Sequence, residues 1–457
     1  MKASKFNVVT SYELTGEILL FNTNTGALVA LPAGLESDLR GLAEEPRRLD
    51  LLPESVQAAL VNHGFVVADD KDEVDEVVRR NQLGINDINR LDVFVLPNMN
   101  CNFACPYCYE DHHSSQMTDE VESRILRWFE VMVPRFKVVL LSWFGGEPLL
   151  SFERLVNIQT KVKKICDDAG VTFNSHITTN GYLLTPARAE RLCATGLLSY
   201  QITMDGPPEI HNERRLLKGP GDSFERVFDN LCNLARTEPR ANIKLRINFD
   251  PGTLPAVPTL LRMIPAELRA RIHVVLERIF GQGTLFVNKS MKTIALETEQ
   301  TYEVARSLGF AVTTTPLNPD KLTYCYADRV SQFLFNHDGD VFKCTVGKFT
   351  PQERLGALDA SGRIVWEGSA YTDWMAVPAI DDQCRRCTFL PMCMGGCRKT
   401  RMFTGKSGAD CTLPFAALET RVQQRYAREI GDKWDANSAP STLGTRLTIG
   451  THSGGIA

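Results

Sequence analysis

Between Leu91 and about residue 280, short apolar runs alternate with longer segments whose apolar residues recur at helical spacing. The runs "LDVFVLP", "KVVLLSWF", "VTFNSHITT", "LSYQITMD", "IKLRINFD" and "IHVVLERI" predict six strands. The segments near 118–133, 151–169, 185–195, 223–236 and 257–267 predict helices between them. Strands separated by crossover helices pair in parallel, so the fold class is α/β, with the sheet curved as a partial (β/α)6 barrel. Chemistry in such barrels collects at the C-terminal strand ends. The segments "NMNCNFACPYC", "GGEP", "TTNG" and "TMDG" all fall there.

The flanks follow other patterns. Residues 1–90 form a separate unit: "EILLFNTNTGALVALP" has two β-rich halves around turn residues, followed by helical segments near 35–44 and 53–63 and a short strand, "GFVVA". The charged stretch "DDKDEVDEVVRRNQ" then predicts a solvated helix or linker. This is a small α+β module of winged-helix-like character. Residues 91–310 make the barrel. Periodicity weakens over 311–415, where cysteines become dense, and residues 416–457 hold the rest of a closing amphipathic helix (412–434) and a Ser/Thr/Gly-rich tail expected to be mobile. No internal repeat is visible.

Length and charge narrow the function. A chain of 457 residues, 43% hydrophobic, can bury large cores. Its 51 basic and 55 acidic side chains leave a formal charge of −4, which gives no general attraction to nucleic acid or to an anionic membrane. The N-terminus lacks signal-peptide character and no stretch approaches 18 uninterrupted apolar residues. A cytoplasmic location is expected.

Thirteen cysteines in a reducing compartment point to metal or catalysis rather than to disulfides. Cys166, Cys193 and Cys232 lie on apolar faces of predicted helices and are expected in the core. Ten remain. Cys101, Cys105 and Cys108 are packed into eight positions, and three soft thiolates on one loop can grip three corners of an iron–sulfur cube, leaving the fourth iron open. The competing reading is zinc with a distant fourth ligand, His112 or His113. Among the later cysteines only Cys384 and Cys387 form the close pair that zinc ribbons use twice.

The spacing of Cys101, Cys105 and Cys108, with aromatic Tyr107 before the last, resembles the radical S-adenosylmethionine (SAM) superfamily. By that resemblance Gly145, Gly146 and Glu147 would meet the SAM amino group, and Thr179 and Asn180 the ribose. Thr203 and Asp205 would lie at the fourth strand end, with Arg214 or Arg215 on the SAM carboxylate. The resemblance implies one-electron cleavage of SAM to a 5′-deoxyadenosyl radical that removes a substrate hydrogen, with flavodoxin or ferredoxin as reductant.

Cys325, Gly339, Cys344, Cys384, Cys387, Cys393, Cys397 and Cys411 resemble the SPASM extension of enzymes that modify peptides and proteins. By the family's ligand pattern Cys384, Cys387, Cys393 and Cys411 would close one auxiliary cluster. Cys325, Cys344 and Cys397 would hold another with an open iron, which makes three [4Fe-4S] clusters in all. The N-terminal module resembles the leader-recognition element of maturases of ribosomally made peptides, where a peptide strand adds to an exposed β-edge. The implied substrate is a precursor peptide with a leader, and the implied product a thioether, carbon–carbon or ether crosslink, or an epimerised residue. Two alternatives stand beside it. One is an anaerobic sulfatase maturase forming formylglycine, whose usual aspartate is Thr345 here. The other is a non-catalytic metal-bearing scaffold that binds peptides.

Overall fold

The computed structural model describes residues 1–12, 14–279, 291–312, 325–377, 380–404 and 415–431. They fall into two compact units, one of residues 1–85, 315–325 and 378–457, the other of residues 86–314 and 326–377.

In the first unit β1 (Lys2–Ala3) pairs antiparallel with β5 (Val66–Val67), and β2 (Asn7–Ser11), β3 (Ile18–Asn22) and β4 (Leu28–Leu31) form an antiparallel sheet with β3 central. The β3–β4 turn is the expected one: Asn22 Oδ1 accepts from the backbone N–H groups of Asn24 and Thr25, both at 2.9 Å, and Gly26 takes φ +69°. One sheet face, with Ile18, Leu20, Val29 and Leu31, packs on Leu39 and on Val56 and Leu60 of the helix Glu54–Asn62. The opposite face, with Leu19, Phe21, Leu28 and Ala30, packs on Phe389, Met392 and on Leu418, Val422 and Tyr426 of the helix Phe415–Gly431. Burial on both faces explains why "ILLF" and "LVAL" are continuous apolar runs rather than alternating ones. The charged stretch forms a helix, Glu73–Ile85, and it is not wholly solvated: Val77 is buried with Phe6, Leu390 and Met394.

The second unit carries the six predicted strands, β6 (Arg90–Val95), β7 (Val138–Trp143), β8 (Thr172–Thr179), β9 (Ser199–Thr203), β10 (Asn242–Phe249) and β11 (Ile272–Arg278). Each pairs in parallel with the next. The helices Asp119–Met132, Phe152–Asp168, Pro186–Ala194 and Phe224–Thr237 lie between them as expected. The segment predicted as one helix over 257–267 splits into Val257–Met263 and Ala266–Arg269, because Pro265 turns Ile264 extended. Apolar side chains from both layers form one core, with Trp143, Phe129 and Tyr200 fully buried and Cys166, Cys193 and Cys232 among them, as their spacing predicts.

The sheet runs on at both edges. β12 (Ala311–Val312) adds in parallel to β11, and β13 (Gln332–Phe335) adds in parallel to β6. β14 (Asp340–Phe342), β15 (Gly356–Leu358) and β16 (Ile364–Trp366) follow antiparallel, so the whole is a mixed sheet of eleven described strands. No described helix is long and apolar enough to cross a membrane.

Candidate active site

The three-cysteine loop leaves β6 and is zipped to the segment behind the short helix Pro208–Arg214. Ala104 N donates to Leu216 O at 2.8 Å and Lys218 N to Asn102 O at 2.9 Å, around a bridge between Phe103 and Leu217. Cys101 is buried, Cys105 half-buried and Cys108 exposed. The Cys101 sulfur accepts from Phe103 N at 3.4 Å and from the Asn180 side chain at 3.9 Å. Burial, reinforced by Glu147, pushes the Cys101 thiol up to about 12; burial also raises Cys105, against the pull of Arg215.

The loop after β7 locks onto this one. A Cβ on Gly146 would sit 2.2 Å from Asn100 O, and one on Gly145, whose φ is +101°, 2.5 Å from Asn98 O. The two glycines therefore admit the backbone of the cysteine loop itself. Glu147 N donates to Asn100 O at 2.8 Å, and its carboxylate is fully buried. Thr179 Oγ1 and Leu149 N donate to one carboxylate oxygen at 2.8 and 2.9 Å, and Asn180 N donates to the other at 2.8 Å. Burial raises the carboxyl's pKa while those three donors draw it back. In this structure Glu147 ties the ends of β6, β7 and β8 together.

Tyr107 organises the other side. Its hydroxyl bonds Asp205 and accepts from Arg215 at 2.9 Å and from Asn248 at 3.4 Å. Burial works against the Arg215 charge, but Tyr107, Cys105 and Asp205 together hold it protonated. Arg214 points elsewhere, into an ion pair with Asp250, and its Nη1 is buried with no hydrogen-bond partner among the described residues. Thr203 is buried at the end of β9, in register with Arg246.

These donors fit an iron–sulfur cluster. Successive thiols of the loop lie close together, Cys105 near enough to raise the pKa of Cys101 and Cys108 near enough to raise that of Cys105. N–H groups directed at sulfur are what bound thiolates take, and binding would displace the thiol protons. His112, one of the two histidines weighed for zinc, does approach Cys108, at 3.6 Å, and with Glu110 completes a compact trio. Neither Cys101 nor Cys105 belongs to that trio, and His113 lies against the ring of His337 instead.

The later cysteines divide between the units: Cys325, Cys384, Cys387, Cys393 and Cys397 belong to the first and Cys344 to the second. Asp381 caps the helix Asp382–Arg386 by accepting from Cys384 N, and the helix Leu390–Cys393 ends in three successive positive-φ residues, Met394, Gly395 and Gly396. This reversal carries the chain from Cys393 to Cys397, and Cys393 lies near enough to Cys384 to raise its thiol pKa further, burial being the larger cause. Cys411 lies outside the described residues. Beside Cys344, Thr345 is buried, with its N–H and hydroxyl on the Tyr326 hydroxyl at 2.9 and 2.5 Å.

The sequence motifs do not mark Asn102, Asn248, Lys244, Arg246 or Tyr326. The signal for the β10 residues is the alternation in "IKLRINFD", where every second residue is polar.

Residues 95–247 match the family model described as the radical SAM superfamily. Mycofactocin maturase of Mycolicibacterium smegmatis is 28% identical over 324 residues, covering 67% of this chain and 77% of that protein. The cysteine-type anaerobic sulfatase-maturating enzyme of Clostridium perfringens is 23% identical over 362 residues, 72% of this chain and 93% of that protein. Among solved structures, native anSMEcpe with bound AdoMet superposes with a TM-score of 0.55 at 18% identity, over 75% of this chain and 98% of that one. Streptococcus suis SuiB bound to precursor peptide SuiA gives 0.50 at 14% identity, over 87% and 95%. At such identities the likeness is one of fold.

Proposed function

This chain carries a radical SAM domain with peptide- and protein-modifying enzymes among its relatives, and from that premise we propose that it is a maturase of a ribosomally made precursor peptide. The observation that carries the reading is the Glu147 junction, which holds the three-cysteine loop, the glycine loop and the Asn180 turn together at the strand ends. Cys101, Cys105 and Cys108 would hold the SAM-binding cluster. When bound, cluster and SAM supply one-electron abstraction of a substrate hydrogen. The chain's own part is positional. Gly145 and Gly146 let two loops meet, Asn180 and Phe103 direct N–H groups at Cys101, and Tyr107 with Arg215 and Asp205 fixes the loop against β9 and β10. Cys384, Cys387, Cys393 and Cys411 would hold one auxiliary cluster, and Cys325, Cys344 and Cys397 a second with an open iron.

The 1–85 module would read the leader by strand addition. In the β2–β3–β4 sheet the hydrogen-bonding alternation fixed by Tyr12 N to Glu17 O and Asn22 N to Ala27 O turns the backbone groups of Val9 and Ala30 away from β3, toward the two edges. A second reading, formylglycine formation, is supported by the 93% coverage of the sulfatase-maturating relative. Against it, Thr345 and not a carboxylate follows Cys344, and it is engaged with Tyr326.

The test is anaerobic reconstitution. The protein should bind about twelve irons, about four for each of three clusters. Replacing Cys101, Cys105 and Cys108 together by Ala should remove about a third of the iron and all SAM cleavage. Loss of that iron with cleavage intact would overturn the proposal. A mass change in a peptide encoded beside the gene, and none in a Cys-bearing sulfatase peptide, separates the two readings.

A further inference from the structure

Along β10, Ile243, Leu245 and Ile247 enter the core shared with the helices, so Lys244, Arg246 and Asn248 occupy the opposite sheet face. Lys244 stands in register with Gln201 on β9 and His273 on β11, and Gln201 with Thr178 on β8. This row of polar side chains crosses four parallel strands at the middle of the sheet. Such a row meets either water or a ligand, and Lys244 and Arg246 are both half-buried.

Charge is not balanced within it. Asp92, on β6, is already paired with Arg90 and Arg329. Neither Lys244 nor Arg246 makes an ion pair with any described carboxylate, Glu277 of β11 included; Arg246 spends its Nε on Asn248 Oδ1 at 2.8 Å. His176 faces the row with both ring nitrogens on hydroxyls, Ser199 at 3.1 Å and Thr178 at 3.3 Å. Burial first, and Lys244 second, draws His176 down to about 4 and lowers His273 as well, so both are neutral at pH 7. Two cations two residues apart on one strand, about 6.5 Å along it, thus stand beside the neutral rings of His176 and His273 and the amides of Gln201 and Asn248, with Glu277 on the same face but not paired to either. A half-buried cation with no ion-pair partner on its face is open to a charge-assisted hydrogen bond, which a carboxylate arriving with a ligand supplies.

We propose that Lys244, with Arg246 beside it, binds a carboxylate of the substrate peptide, from an Asp or Glu side chain or from the C-terminus. Docking that carboxylate sets which neighbouring residue is held at the strand ends, where the cysteine loop lies. The proposal rests on the peptide-maturase reading, and its test separates the two.

The probes are three short peptides: acetyl-Gly-Glu-Gly-amide, acetyl-Gly-Gln-Gly-amide, and acetyl-Gly-Gly-Gly with a free C-terminus. Their dissociation constants are measured by NMR titration on reconstituted full-length protein with SAM, as wild type, Lys244→Met and Lys244→Arg. One or both carboxylate peptides should bind wild type about tenfold more tightly than the Gln amide, as one charge-assisted contact allows. Whichever does so identifies the source as side chain or C-terminus. The preference should vanish in Lys244→Met, persist in Lys244→Arg, and shrink with added salt in the wild type itself. Equal binding of all three peptides to wild type, a preference indifferent to salt, or one that survives Lys244→Met would overturn it. So would a tenfold loss of SAM affinity in Lys244→Met, which would give the cation to the SAM carboxylate. Uncoupled SAM cleavage, assayed on the same wild-type preparation, tests the enzyme: its absence sinks the maturase, whereas its presence without any carboxylate preference sinks only the Lys244 assignment.

Discussion

The Tyr107 hydroxyl, in the middle of the three-cysteine loop, accepts a hydrogen bond from Arg215 at 2.9 Å across 108 residues of sequence. Asp205 takes the same hydroxyl from the other side, and the two charged partners stand 3.9 Å apart. One phenol oxygen therefore couples the loop to the end of β9. Tyr107→Phe should leave Asp205 and Arg215 with unfilled hydrogen-bonding capacity in a buried site and cost about 1–3 kcal/mol. The measurement is the melting temperature of the reconstituted protein together with its iron content. Unchanged stability would mean that the network is not what seats the loop.

Gly146 gives a sharper test of the same seat. An alanine there would set its Cβ 2.2 Å from the Asn100 carbonyl oxygen and must push that carbonyl away, moving the first cysteine's neighbour. Gly146→Ala should lower bound iron by about four atoms, one cluster's worth, while the other clusters stay filled. Full iron content in that variant would show that the two loops can part without consequence for the cluster.

The parts of the site that were legible in the sequence are the local ones. Six strands and the placement of four motifs at their ends could be read because apolar runs and turn residues are short-range signals. The β13–β16 strands are three or four residues long and carry too little periodicity to be seen. Glu147 reads in sequence as a charge offered to a ligand, but its partners Thr179 and Asn180 come from another strand, and only the folded sheet brings them to it. Arg214 and Arg215 are indistinguishable neighbours in the chain. The helix Pro208–Arg214 ends between them, and their side chains part toward Asp250 and Tyr107.

Leader recognition is best probed by point changes at the sheet edges. Deleting residues 1–85 would also uncover Phe389, Met392, Leu418 and Val422, which share a core with Leu19 and Phe21, so a deletion confounds binding with folding. Val9 is only half-buried, so proline there removes one outward N–H from the β2 edge without entering the core that holds Ala30. Val9→Pro should weaken binding of the leader-bearing peptide at least about tenfold, the loss of roughly one good hydrogen bond, with uncoupled SAM cleavage kept. Unchanged peptide binding in the folded variant would mean that the module does not read the leader through the β2 edge.

Acid should destabilise the barrel through His211. That ring is fully buried against Phe224, neither nitrogen has a hydrogen-bond partner among the described residues, and burial, with Arg215 adding, draws its pKa down to about 2. Because the folded value lies below the unfolded value of about 6.5, the contribution is complete above pH 6.5 and is lost as pH falls toward 2, at about 1.4 kcal/mol per pH unit. His176, drawn down to about 4, adds a second loss over a narrower span. His211→Phe should therefore lessen the fall in melting temperature between pH 7 and pH 5. An unaltered fall would mean that the histidine is protonated, or solvated, in the native state.

The sheet of residues 7–31 finishes its second face only when Phe389, Met392 and the helix Phe415–Gly431 arrive, so everything between residues 31 and 389 is synthesised before it can close. At elongation rates of about 5–20 residues per second, the leading strands wait tens of seconds with Leu19 and Phe21 uncovered, while the barrel between them can already fold. The ribosome thus delivers this protein inside out: residues 86–314 can close first, and the sheet of residues 7–31 is finished afterwards. A nascent chain stalled before residue 380 should be cut readily by protease within residues 1–85, and one carried past Gly431 and clear of the exit tunnel should resist.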